Sequence, residues 1–295
     1  MASVSSPAFT QRVVQAMRSL YPEELADRAW DNVGLLQDNV APASGDVPRR
    51  VLLTNDLTER VAEEAVKKGV SVIVSYHPFI FRGLKSITTN EPHQRIILRL
   101  AQANIAVYSP HTAVDAAPSG LNDWLADILP SHNIPLSSRS IAQPLRTPAP
   151  PGFEQSGYGR LLTLSQPTSL SSIVKAYASG LGSFRHVIVS PPHNASDPKE
   201  ALIRSVAVCA GSGADVFKDV DADCYVTGEM SHHVALRLGM LGKAVVMVLH
   251  SNSERGYLKG VMKPRLEELL KEEGAEVIVS EEDRDPFEIW DVSEL

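Results

Sequence analysis

Apolar, β-branched runs recur along the chain and stop at an ionisable side chain. Val51-Leu52-Leu53-Thr54-Asn55 runs into Asp56, Val72-Ile73-Val74-Ser75-Tyr76 into His77, Ile105-Ala106-Val107-Tyr108-Ser109-Pro110 into His111, and Val245-Val246-Met247-Val248-Leu249 into His250. Such runs predict buried strands whose carboxyl ends deliver those side chains to the edge of a crevice, where open α/β sheets carry their chemistry. Between the strands the spacing turns helical. Val61, Ala62, Ala65 and Val66 mark a helix over about Thr58 to Lys68 that Gly69 ends; Ile96, Ile97 and Leu100 mark one over Pro92 to Ala103. Trp124, Leu125 and Ile128 share a face of a third, Leu121 to Leu129. A β-α-β order makes the strands parallel and their C-terminal ends neighbours.

Upstream, Phe9, Val13, Val14, Met17 and Leu20 form one face of a first helix. Trp30-Asp31-Asn32-Val33-Gly34 reads as a turn, with Trp30 a core anchor and Asp31 or Asn32 capping the backbone or serving a nearby site. Residues 38–50 read as a surface loop. From Pro130 to Gly159 proline and serine replace periodicity, which predicts a linker or crossing segment.

A second α/β unit follows. It has a strand at Leu161–Leu164, a helix near Ser171–Ser179, a strand at Val187–Val189, and another at Val206–Cys209 leading into Gly211-Ser212-Gly213. Tyr225–Glu229, a helix carrying His232 and His233, the strand before His250, a helix from about Glu254 to Glu273 that Pro264 kinks, and a strand at Val277–Val279 complete it. The expected class is α/β with largely parallel or mixed sheets. Residues 1–130 would form one lobe, 160–295 a second, and 131–159 the crossing.

Composition narrows the function classes. The 295 residues carry a net charge of -7, which offers no basic surface for nucleic acid phosphates. The only cysteines, Cys209 and Cys224, form no C-x-x-C pair and point to a reducing compartment. No apolar run reaches the roughly 18 residues of a membrane span. Residues 1–22 lack acids, include Arg12 and Arg18, and are serine-rich, as transit peptides are, but the helical face described above favours a packed helix. A cytoplasmic protein is expected, with the mitochondrion and nucleus as alternatives.

His77, His111, Asp115, His250 and Glu254 form a nitrogen and oxygen set of the kind divalent transition metals take. His111 and Asp115 lie four apart, as do His250 and Glu254, so in each of these two pairs the strand-end histidine has a carboxylate one turn or loop later. A lone histidine is more often structural; agreement among several strand ends is what singles these out. Gly211-Ser212-Gly213 reads either as a tight turn or as an anion cradle.

Several motifs together resemble the NGG-one-interacting factor three (Nif-three) family, whose members are also described as GTP cyclohydrolase 1 type 2 homologues. They are Trp30-Asp31-Asn32-Val33-Gly34-Leu35, Ser75-Tyr76-His77-Pro78-Phe79-Ile80-Phe81, Tyr108 to Asp115, Gly211-Ser212-Gly213, Thr227-Gly228-Glu229-Met230-Ser231-His232-His233 and His250 to Gly256. The resemblance runs in order from about residue 8 to residue 260. It implies two α/β lobes, a toroidal hexamer and a two-metal site in the cleft between lobes. His77, Asp115 and Glu254 would hold one ion, and His250, with Glu254 bridging, the other. Bacterial members carry a histidine where this chain has Tyr76, and often a second one where it has Ser251, so the second ion would have fewer imidazoles here.

The expected activity is metal-dependent hydrolysis of a small phosphorylated or nucleotide-like substrate, with Glu229 as general base and His111 as general acid or ligand-orienting group. His232 and His233 would line or orient the site. Up to two divalent ions per chain are expected, from among zinc, iron, manganese and nickel. The alternative is a metal-binding protein that acts through a protein partner or handles the metal. The cyclohydrolase name is not carried by the residues, since no cysteine lies in the histidine motifs. A homo-oligomer is expected, without direct nucleic acid or membrane contact.

Overall fold

A computed structural model describes residues 5–294 apart from 44 and 46, so Ser44 and Asp46 of the 38–50 loop lie outside the described residues. The chain opens with α1 (Ala8–Leu20), which buries Phe9, Val13, Val14 and Met17 on the expected face. β1 (Gly34–Gln37) and β2 (Arg50–Thr54) follow, then α2 (Glu59–Lys67), whose first turn is capped by the Thr58 hydroxyl accepting from Val61 N at 3.3 Å. Next come β3 (Val72–Ser75), α3 (Pro92–Gln102), β4 (Ala106–Ser109), α4 (Thr112–Ala116) and α5 (Leu121–Ser131). These strands and β11 (Glu276–Val279), from the far end of the chain, make a five-stranded sheet ordered β1-β4-β3-β2-β11, parallel except at β1.

The second sheet has six strands. β5 (Leu136–Pro144), β6 (Gly157–Ser169), α6 (Leu170–Gly182), β7 (Ile188–Ser190), β8 (Leu202–Ser212), β9 (Cys224–Glu229), α7 (His232–Met240) and β10 (Ala244–Met247) give the order β5-β6-β8-β9-β10-β7. The central three strands are parallel and the rest pair antiparallel. α8 (Arg255–Tyr257), a π-helical stretch (Leu258–Met262) and α9 (Lys263–Leu269) lead back to the first sheet.

Side chains alternate across each central strand, and both faces are covered. Leu52, Ile73 and Val107 pack under α2 and α3 with Ala62, Ala65, Ile97 and Leu100. Val51, Val72 and Ala106 face the other way and share one core with Leu162, Val206, Val226 and Val246 of the second sheet and with α1 and α5. This explains the unbroken apolar runs: neither face meets water. Thr54 pairs with Ser75 and Val74 with Tyr108, so the three strands end level and release Asp56, His77 and His111 side by side.

The structure departs from expectation at three places and gives a fourth expectation its form. Leu136–Pro144, expected within a linker, is an edge strand; its Ser138, Arg139 and Ser140 are exposed, so no buried face imposes a pattern. β11, expected in the second lobe, adds to the first sheet beside β2. The kink at Pro264 takes the form of the π-helical stretch before it, which leaves the proline in the first turn of α9, where no N–H is required. Trp30, expected in the core, is 51% exposed.

Candidate metal centre

Turns with unusual backbone carry two of the histidines. His111 itself has φ 34°, and Leu249, just before His250, has φ 70°. Non-glycine residues hold such angles only where the surroundings impose them, at a cost of about 1–3 kcal/mol each. The imposing contacts are visible beside His111. Asp31 accepts from His111 Nδ1 at 2.7 Å and also bonds the backbone N–H and hydroxyl of Thr112.

All three strand-end histidines share one device. His77 Nδ1 meets Asp56 Oδ1 at 2.8 Å, His111 Nδ1 meets Asp31, and His250 Nδ1 meets Glu229 Oε1 at 3.0 Å. Burial works against ionisation of Asp31 and Asp56, but hydrogen bonds from their histidines, joined by Thr112 and Asn32 at Asp31 and by Asn55 at Asp56, outweigh it and hold both carboxyls below the usual range. At neutral pH these carboxylates can only accept, so the Nδ1 atoms of His77 and His111 donate and Nε2 of each ring is left out of that bond. Burial also lowers the His77 pKa despite Asp56, which keeps the ring neutral, the form that binds a metal. The rings of His111, His77 and His250 stand in a row with centroids 5.3 and 5.2 Å apart.

Glu254 closes the row from the second lobe. Its Oε2 lies 3.5 Å from His77 Nε2 and its Oε1 lies 3.4 Å from His250 Nε2. Among the described residues, His77, His250 and Glu254 each offer a ligand atom within 4.8 Å of the others. Burial pushes the Glu254 carboxyl well up, and Asp115 and Asp56 nearby add to this; Asn55 Nδ2, donating to Oε2 at 3.0 Å, opposes it. A fully buried carboxylate beside other acids and imidazoles calls for a cation. Asn55 Oδ1, buried without a hydrogen-bond partner, is a further unsatisfied acceptor beside it. The donor set therefore fits a divalent metal of the imidazole-and-carboxylate kind.

Asp115 lies outside this group of three. Its carboxyl is deep in the cleft and accepts from the Tyr76 hydroxyl at 2.7 Å, and burial raises its pKa to about 6. Tyr76 thus faces the site and hydrogen-bonds one of the carboxylates expected to be a ligand. Glu229 is exposed and spends its carboxylate on His250, the position of an orienting partner rather than of a free base. His232 and His233 meet edge to face at the start of α7, exposed to solvent and outside the cavity lining.

Gly211 explains the glycine motif. A Cβ there would sit 2.8 Å from Glu254 Oε1 and 2.9 Å from His250 Nε2. The backbone N–H groups of Gly211 and Gly213 are taken by Ser253 Oγ and Thr227 Oγ1, so the loop makes room for ligands and is no anion cradle. Sequence reasoning passed over Asn55 and the role of Asp56, although β2 ends on them as the other strands end on histidine. It also placed no cysteine near the site, yet Cys209 on β8 lines the same cavity. Burial pushes that thiol well up, and Sγ donates to Ala210 O at 3.4 Å, so it stands there as a neutral thiol.

The site opens into a cavity of about 880 Å³ between the lobes. Its floor holds His77, His111, His250 and Glu254; Trp30, Tyr76 and Phe81 line one part, and Arg146, Asp215 and Lys218 another.

Comparison with known proteins agrees with this layout. The family model described as Duf34/NIF3 (NGG1p interacting factor 3) matches residues 9–286. A Schizosaccharomyces pombe relative, protein NIF3 homolog, is 45% identical over 287 residues, covering 96% of this chain and 99% of its own length. The Saccharomyces cerevisiae relative, NGG1-interacting factor 3, is 42% identical over 297 residues, covering 98% and 100%. A solved structure of a Bacillus cereus protein related to NIF3 matches with a TM-score of 0.77 at 22% identity, covering 95% and 98%, a likeness of fold. The sequence match extends through all the segments that build the cleft, and the chain belongs to the Duf34/NIF3 family.

Proposed function

We propose that the cleft is a divalent metal site of up to two ions bridged by Glu254, and that the protein is a metal-dependent hydrolase of a small phosphorylated substrate. The carrying observation is the set of three imidazoles, each held at Nδ1 by a carboxylate, around a buried Glu254 whose two oxygens face different rings. His77 and His250 are the imidazole ligands in this reading, and Asp115, whose Oδ1 accepts from Tyr76, would add a carboxylate oxygen. A cation held there would supply Lewis-acid polarisation of a phosphoryl or carbonyl group.

The protein's own groups divide the remaining work. Asp56 and Glu229 fix the faces of His77 and His250. His111, with Asp31 behind it, lines the cavity and is placed to pass a proton to or from a reacting group. Glu229 supports this chemistry through His250, so its role as a general base gives way to that of a positioning group. Lys218 lines the cavity, which suits an anionic substrate. Self-association, to a hexamer by the family resemblance, belongs to the same reading; the exposed Met240 and Leu241 at the end of α7 offer apolar surface for it.

Elemental analysis of protein purified without a metal-binding tag tests the centre. Between one and two ions per chain are expected, with most of the metal lost in Glu254→Ala. Full retention in that variant would remove Glu254 from the ligand set. The second reading, a metal-binding interaction protein, is favoured by the name of the budding-yeast relative. A metal-replete protein that turns over no phosphoester or nucleotide in a broad screen would select it.

A further inference from the structure

Trp30 stands exposed where the sequence expects core, and Phe81 stands exposed beside it. They are 51% and 42% exposed, both line the cavity, and their ring centroids are 5.9 Å apart. Neither is loose: Trp30 meets His111 edge-on at 5.7 Å, and Phe81 meets the same ring at 6.5 Å. Asn32, two residues on, donates its side-chain N–H to Ile80 O at 2.5 Å, tying the Trp30 turn to the segment that carries Phe81. Large aromatic surface left open beside a site, on a backbone fixed by hydrogen bonds, is surface kept for a ligand.

The rest of the cavity defines what that ligand must carry. The metal ligands on the floor and Lys218 favour an anion. Asp215 and Asp219, exposed and lining the cavity with Lys218, offer acceptors to hydroxyl or ring N–H groups of a ligand, groups that inorganic phosphate does not carry. A ring, a set of hydroxyl or N–H donors and an anionic end together describe a nucleotide. About 880 Å³ holds one such molecule, and the net charge of -7 disfavours a longer nucleic acid.

We propose that Trp30 and Phe81 form the stacking wall for the base of a mononucleotide whose phosphate lies toward Lys218 and the metal ligands. This rests on the reading of the cleft as a substrate site and adds the class of substrate and the residue that selects it. Stacking on an aromatic side chain tolerates any base, so the wall selects for a planar ring before it selects among rings.

Equilibrium titration of the full chain tests this, using adenosine and guanosine 5′-monophosphate against ribose 5-phosphate and inorganic phosphate, before and after chelator treatment. The nucleotides are expected to bind about tenfold or more tighter than ribose 5-phosphate, as base stacking would supply. Trp30→Ala should erase that preference while leaving ribose 5-phosphate affinity and metal content unchanged, and Trp30→Phe should keep most of it. Equal affinities in the wild type, no nucleotide binding, or a preference that survives Trp30→Ala would overturn the assignment. Tighter binding of a short single-stranded RNA than of either mononucleotide would overturn it too. A ring preference that survives chelator treatment supports the wall, and the same preference in protein that takes up no metal on reconstitution would leave the wall standing and fail the metal reading instead.

Discussion

Single side chains decide the electrostatics of the cleft. Burial lifts Asp115 from its ordinary value of 3.8 to about 6, so the folded protein without metal binds a proton that the unfolded chain releases. An acid raised in this way gives its full stabilising contribution below the unfolded value and loses it as pH rises through about 6. Chelator-treated protein is therefore expected to lose thermal stability between pH 4 and 7, by about 2–3 kcal/mol from this group. Asp115→Asn should flatten that part of the melting-temperature profile; parallel profiles would assign the titration elsewhere. Gly211 is the other deciding residue. At φ 58°, with the ligand atoms under 3 Å from where a Cβ would be, Gly211→Ala costs about 1 kcal/mol in backbone strain and pushes Glu254 and His250 apart. Metal affinity should fall at least about tenfold, more than the stability change explains, when measured by chelator competition. An unchanged affinity would show that the ligands do not need the space.

Among the elements, the parallel strands were legible and the edges were not. β2, β3 and β4 are buried on both faces, and their apolar runs, with helices between that Gly69 and Asn104 end in the left-handed conformation, leave one arrangement open. β5 is an exposed edge whose Ser138, Arg139 and Ser140 could equally belong to a loop, and the pattern of β11 says it is a strand without saying whose neighbour it is. The chain after β11 has a structural task of its own. Ser280 N donates to Leu53 O at 2.8 Å, Asp283 accepts from Asn55 N at 2.7 Å and lies 3.5 Å from Arg255, and Asp285 accepts from Ser251 at 3.1 Å. This strap ties the end of β2 to the turn that carries Glu254. Asp283→Ala is expected to weaken metal binding severalfold with little change in secondary structure, whereas Asp283→Asn, which still accepts from Asn55, should recover much of the loss. If Asp283→Ala binds metal as tightly as wild type, the strap does not position the site.

At the level of the whole molecule the two sheets are not separate bodies. Val51, Val72 and Ala106 of one share a hydrophobic core with Leu162, Val206 and Val246 of the other. The protein should accordingly unfold in one transition, with tryptophan fluorescence and far-ultraviolet circular dichroism coincident. Two separated transitions would restore the independent lobes that the boundaries at residues 130 and 160 suggest. Sequence alone settled the class of fold, the strand-end histidines and the family, because periodicity and local motifs are short-range properties that a linear reading contains. It could not show that Glu254 meets His77, that Asp31, Asp56 and Glu229 hold the imidazoles, or that Trp30 faces a cavity. Those contacts join residues from about 20 to nearly 200 positions apart, and only the parallel register, the shared core and the returning C-terminal strap bring them together.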